Sequence, residues 1–148
     1  MSAARRLLAL DPGETTGWSI WRYGDETPLT HVEHGMQAGG LRGFIQLMHE
    51  RDGQFDEVVA ESFILDGRTA FPNITPLRIE GALAALWHGP VTLQRNVFKR
   101  HAPDALLKEL GLWWKGPGHD RDSARHAIAY LLGKKHMPTL LSIYPLPE

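Results

Sequence analysis

Cysteine is absent from the sequence, which excludes disulfides and thiolate zinc sites and is compatible with a reducing, cytoplasmic setting. No apolar run is long enough to span a bilayer, and the basic, apolar and small-residue order of a secretory leader is missing too. Internal repeats, low-complexity tracts and interdomain linkers are also missing. Nor is there a net positive charge, the usual footprint of a nucleic-acid binder: the formal total is −1. What remains is 148 residues with 43% hydrophobic and 22% charged side chains. That is the size and composition of one soluble globular domain over residues 1–148.

The charges are unevenly spread. Residues 1–90 hold 7 Lys/Arg against 12 Asp/Glu, residues 91–136 hold 9 against 4, and Glu148 adds the last negative charge. An acidic half with a metal site and a basic half meeting phosphate would have this distribution, and so would charges clustered on a solvated surface.

Hydrophobic periodicity and turn signals give the order β-β-β-α-β-α-β-α, with a further short helix. Leu7–Asp11 is an apolar strand stopped by Asp-Pro-Gly, and Thr16–Arg22 is its hairpin partner. Leu29–Met36 is a weaker third strand. Leu41, Phe44, Ile45, Leu47 and Met48 have helical spacing, with Gly53 as the stop. Asp56–Ile64 is the next strand, and the Gly/Pro/Asn/Thr stretch Asp66–Pro76 is a loop. A helix over Pro76–His88, a strand over Val91–Arg95 and a short helix over Ala105–Leu110 follow. After a Gly/Pro turn at Lys115–Gly118, a last helix covers Asp120–Leu132. Three consecutive strands and then alternating elements predict an α/β fold. Its five-stranded mixed sheet is antiparallel first and parallel later, with helices on both faces.

Four side chains stand where such a fold gathers chemistry. Asp11 ends the first strand, Glu61 lies near the end of the apolar strand Asp56–Ile64, and His119 and Asp122 sit at the start of the last helix, with Asp120 between them. Ligands collect at strand ends in open α/β sheets. Asp11 also reads as a turn residue, and Asp120 and Asp122 as a cap and a first-turn acid. Glu61 resists that reading, because a lone carboxylate after Val58-Val59-Ala60 costs several kcal/mol unless paired or metal-bound. As a set, the carboxylates suit hard cations such as Mg²⁺ or Mn²⁺.

Leu8–Trp18 (LALDPGETTGW) resembles the opening strand of the RuvC-like Holliday-junction resolvases, of the RNase H-like superfamily. Val58–Glu61 is similar to the strand bearing that family's catalytic glutamate, and the helix with Arg78 and Gly81 to its second helix. His119–Ala127 (HDRDSARHA) resembles its final catalytic helix, particularly in short phage-type members. Asp-x-Gly-x-Thr also opens sugar kinases and actin-like ATPases, but those folds need two such domains. YqgF-like RNA-processing relatives share the opening, although they carry a different stretch where this chain has Ala60-Glu61.

The resemblance implies a RuvC-like nuclease domain that cuts four-way junctions and other branched DNA in a bacterial or phage-infected cell. It implies Asp11, Glu61, His119 and Asp122 as catalytic and metal-binding residues for two Mg²⁺ ions, with Mn²⁺ able to substitute. It places DNA-backbone contacts at Arg95, Lys99, Arg100 and Arg121, and a junction-prying aromatic near Ile64, for which Phe63 and Phe71 are candidates. His126 is expected to pack or to support a ligand, and Trp113-Trp114 to be buried under the basic loop. Helix Pro76–His88 is apolar around most of its circumference, which predicts a homodimer packed through it. A YqgF-like RNA nuclease and a non-catalytic phosphate- or nucleotide-binding domain remain the alternatives.

Overall fold

The computed structural model of the chain describes residues 4–65, 67 and 70–147. Its strands are β1 (Arg5–Asp11), β2 (Thr15–Tyr23), β3 (Thr30–Ala38), β4 (Glu57–Glu61) and β5 (Val91–Gln94). The helices are α1 (Gly40–Glu50), α2 (Thr75–Leu86), α3 (Asp104–Glu109), α4 (His119–Gly133) and α5 (Met137–Ile143), with a 3₁₀ turn over Asn96–His101. The sheet order is β3-β2-β1-β4-β5. The β3/β2 and β2/β1 pairs are antiparallel, while β1/β4 and β4/β5 are parallel. This is the predicted mixed sheet.

Both faces of the sheet are covered, which is why β1 is apolar without alternation. Leu8 and Leu10 pack with Phe44, Leu47, Ile79 and Leu83 beneath α1 and α2. Leu7 and Ala9 face the opposite layer, with Leu107, Ala124, Ala127 and Ile128 of α3 and α4. α4 lies very close to β2, because the residues of β2 beneath it are small. The Ser19 and Ser123 hydroxyls meet at 2.8 Å. A Cβ built on Gly17 would stand 1.9 Å from the carbonyl oxygen of His119. Gly17 is therefore what lets the first turn of α4 rest on the sheet.

Three elements differ from the sequence expectation. β4 ends at Glu61 rather than Ile64, because Ser62 makes a last bond to the Gln94 carbonyl (2.7 Å) and then the chain leaves the ladder. The apolar run Phe63–Leu65 that suggested more strand is half-buried or exposed loop. The 3₁₀ turn Asn96–His101 and α5 were not foreseen. α5 carries Pro138 in its first turn, a start signal that its short apolar face left unread.

Gly17→Ala is expected to cost about 1–3 kcal/mol, since the methyl meets backbone that cannot turn away. Gly81→Ala, in open space on α2, is expected to gain about 0.4–1 kcal/mol. Urea unfolding of the two variants measures the contrast, and equal effects would show that α4 can lift from β2 cheaply.

Candidate active site

β1 and β4 are neighbours in register, with Leu10 opposite Ala60. Their next residues, Asp11 and Glu61, therefore leave the sheet side by side. Pro12 ends the ladder after Asp11, since it has no N–H to donate. α4 arrives from above. Gly118 adopts φ 99°, a left-handed conformation that suits glycine, and so turns the loop into the helix. His119 then opens α4 with its Nδ1 3.9 Å from Asp11 Oδ2. Asp122 follows three residues later on the same face, one oxygen 3.1 Å from Arg125 Nε and the other 3.5 Å from Lys99 Nζ. All four residues predicted to be catalytic thus reach one end of the sheet.

Their electrostatics are strained. Asp11 is buried, and that burial, reinforced by the negative charges of Glu61 and Asp122 and by a hydrogen bond with Glu61, lifts its carboxyl to about 8 against the pull of Lys99. Burial pushes Glu61 upward too, but the His126 hydrogen bond and the Lys99 charge outweigh it and hold Glu61 below the ordinary range. Burial lowers Lys99, yet Glu61, Asp122 and Asp11 together raise it above the usual lysine value. Lys99 Nζ lies 3.2 Å from Glu61 Oε1, so an ammonium stands between two of the carboxylates. Among the described residues no three His, Asp or Glu side chains are already closed to coordination spacing. The donor set still fits a hard divalent cation, being oxygen-rich, negatively charged and short of positive charge.

The predicted DNA-contact residues divide. Arg95 and Arg100 are exposed at either end of the turn that carries Lys99. Lys99 points inward to the carboxylates. Arg121 bonds the carbonyl oxygens of Trp114 and Gly116 and lies 4.3 Å over the Trp113 ring, bracing the loop before α4. Trp114 is packed, stacked on His34 at 3.8 Å. Trp113 is 39% exposed between Lys108 and Arg121, contrary to the expectation that both tryptophans are buried. It is held by the two cations rather than by core.

Neither aspartate of α4 holds the cap position, which Gly118 occupies, although Asp120 Oδ1 accepts the first-turn N–H of Arg121 at 2.9 Å. Asp120 is 2% exposed and receives His34 Nδ1 at 2.8 Å, tying the start of α4 to β3. His126 does support a neighbour, with its Nε2 3.1 Å from Glu61 Oε1. His34 and Gln94 were missed. The only sequence signal for Gln94 is a polar residue closing an apolar strand. Of the candidate wedges, Phe71 is 94% exposed and Phe63 is half-buried.

A raised carboxyl makes the native state bind more protons than the unfolded chain between the unfolded value near 3.8 and about 8. Stability therefore falls as pH rises through that window. Asp11→Asn is expected to flatten this loss and to melt several degrees higher than the wild type at pH 8 without divalent ions. Calorimetry across pH checks it, and superimposable curves would contradict the burial argument.

No protein-family model matches the sequence, and no curated protein resembles it significantly. Solved structures do. RuvC of T. thermophilus in complex with a Holliday junction substrate matches with a TM-score of 0.67 at 12% identity, over 90% of this chain and 97% of that one. A second Thermus thermophilus RuvC structure gives 0.58 at 15% identity, over 88% and 95%. The yeast mitochondrial Holliday junction resolvase gives 0.57 at 13%, over 95% and 84%. At these identities the likeness speaks for architecture: the chain has the RuvC-like form of the RNase H-like fold.

Proposed function

We propose that the protein is a divalent-metal-dependent endonuclease that cuts branched DNA, with four-way junctions as the preferred substrate. The observation that carries this reading is the meeting of Asp11, Glu61 and Asp122 at the joined ends of β1, β4 and α4, where burial and mutual repulsion call for a cation. Beside them lies an open groove of about 560 Å³ lined by Lys99, Arg100, Asp122 and Arg125. Basic side chains next to a carboxylate cluster suit a phosphodiester, whose charge the groove would neutralise while the cluster acts on it. The structural likeness to junction resolvases supports the choice of DNA substrate.

Asp11, Glu61, Asp122 and His119 would hold two Mg²⁺ ions, or Mn²⁺ in their place. Bound there, the ions supply an activated water and charge stabilisation for the leaving oxygen. His119, 44% exposed, can ligate or take a proton from the attacking water. Mg²⁺ prefers oxygen, which favours the second role. Arg125 holds Asp122 in place and is itself anchored to the Ala102 carbonyl and Asp104 (both 2.6 Å). Arg95 and Arg100 meet the backbone of the DNA, and Phe71 is the side chain free to enter an opened junction. Leu77 on α2 lines an exposed, largely apolar groove with Val91 and Leu93 of the edge strand β5. A second copy covers it in our reading, giving a two-fold dimer that matches the two symmetric strands of a junction.

Asp122→Asn is expected to fold normally and to lose junction cleavage by several orders of magnitude at saturating Mg²⁺. Near-normal cutting by the folded variant would remove the metal site from the reading. Assaying a four-way junction, a linear duplex and structured RNA side by side fixes the substrate, and preferential RNA cleavage would refute the proposed specificity. Arg95→Ala with Arg100→Ala is expected to lower the slope of log K against log salt by up to about 1.8. An unchanged slope would put the DNA path elsewhere.

A further inference from the structure

Behind Glu61, away from the groove, two buried side chains are arranged in only one chemically consistent way. His126 of α4 is fully buried and Gln94, the last residue of β5, is 5% exposed. Gln94 Nε2 lies 2.9 Å from the His126 backbone carbonyl oxygen and 3.2 Å from its ring Nδ1. A carbonyl oxygen can only accept, so the Gln94 atom that faces it is the amide nitrogen and not the amide oxygen. That nitrogen carries two hydrogens and no free acceptor. One hydrogen goes to the carbonyl, and the other leaves Nδ1 to act as the acceptor. A proton on Nδ1 would point at an N–H, so the ring proton belongs on Nε2. Nε2 faces Glu61 Oε1 at 3.1 Å and therefore donates to it.

We propose that Gln94 fixes His126 as the Nε2–H tautomer, and that His126 is a positioning residue which aims the carboxylate of Glu61 at the cation. This rests on the reading of Glu61 as a metal ligand and adds how that ligand is held. His126 and Lys99 reach the same oxygen, Oε1, at 3.1 and 3.2 Å. The closest approach of each donor is to Oε1, so both hold the carboxylate from the same side. An imidazole donor behind a carboxylate removes its rotational freedom before the ion arrives, which is the usual gain from an outer partner of a metal ligand. Because His126 and Gln94 come from α4 and β5, Glu61 is aimed by the same helix that delivers Asp122.

The test uses the metal-free protein and Mn²⁺ as the probe. Imidazole ¹H–¹⁵N correlation spectra at neutral pH are expected to show His126 protonated at Nε2 and bare at Nδ1. A proton at Nδ1 would overturn the tautomer assignment. Mn²⁺ affinity, read by electron paramagnetic resonance without turnover, is expected to fall about 10–100-fold in His126→Leu. It is expected to stay within a few-fold of wild type in His126→Gln, whose amide N–H replaces the Nε2 donor. Thermal melts separate loss of fold from loss of aim. If the leucine variant does not fold, His126→Gln decides with a second substitution, Gln94→Leu, which frees the ring and should weaken Mn²⁺ binding with the native melt retained. Wild-type Mn²⁺ binding with undiminished binding in folded His126→Leu or Gln94→Leu would overturn the positioning role and leave the metal site standing. Absence of saturable Mn²⁺ binding in the wild type would overturn the nuclease reading and the positioning role together.

Discussion

Asp11, Glu61 and Asp122 repel one another at one end of the sheet, and most of the surrounding structure can be understood as an answer to that repulsion. Like charges at short range in a partly desolvated site are unfavourable by several kcal/mol unless a cation is interposed. Lys99 supplies one positive charge between Glu61 and Asp122, and Arg125 another beside Asp122. Asp11, the most buried of the three, has no Lys or Arg in ion-pair contact among the described residues, only His119 Nδ1 at 3.9 Å, and its carboxyl is the one lifted to about 8. The imbalance lies where a divalent ion would be most favourable. The fold accepts a local penalty there that the two hydrophobic layers offset elsewhere.

β4 makes the point by contrast, because it carries a glutamate at each end. Glu57 is buried at the start of the strand, where the hydroxyls of Tyr23 and Tyr130 both donate to it and Lys134 sits beyond them. Its oxygens are each engaged, one by each tyrosine. Glu61 has the nearest approach of His126 and of Lys99 on one oxygen and the carboxyl of Asp11 beside it. The same residue type on the same short strand is thus a structural group at one end and an unfinished one at the other. What separates them is the distribution of donors, since buried polar groups are ordinarily satisfied.

Much of this was legible in the sequence, for identifiable reasons. Apolar Leu7–Leu10 and Val58–Ala60, bounded by turn residues, marked β1 and β4. The step from three strands to alternating elements fixed the mixed sheet, and Asp11, Glu61 and His119–Asp122 stood at element ends. Gly17 could be read only as part of a motif, because its reason is a contact 102 positions away in the chain, with His119. His34, Gln94 and the inward turn of Lys99 left no local trace, since their roles depend on which elements lie opposite them. The length of β4 was overestimated because Phe63–Leu65 is as apolar as a strand while its possible partners, β1 and β5, have already ended. Trp113 was assigned to the core on size alone, although two cations on its ring hold an aromatic at the surface without burial.

The near-zero net charge conceals how the site is assembled. The carboxylates Asp11 and Glu61 come from the acidic first part of the chain, and Lys99, Arg100 and Arg125 from the basic second part. The 3₁₀ turn and α4 lay that second part across the ends of β1 and β4, so opposite charges meet only once the chain has folded. A uniformly basic surface would hold any nucleic acid strongly and would leave the carboxylates no less repulsive. Placing the cations in one groove beside the cluster confines attraction to the phosphate that reaches it. On the proposed reading, affinity for DNA would depend on shape, on whether a branched substrate can bring a backbone into that groove while a second copy holds its other arms. This would be a physical route from a chain of net charge −1 to the proposed selectivity for branched over linear DNA.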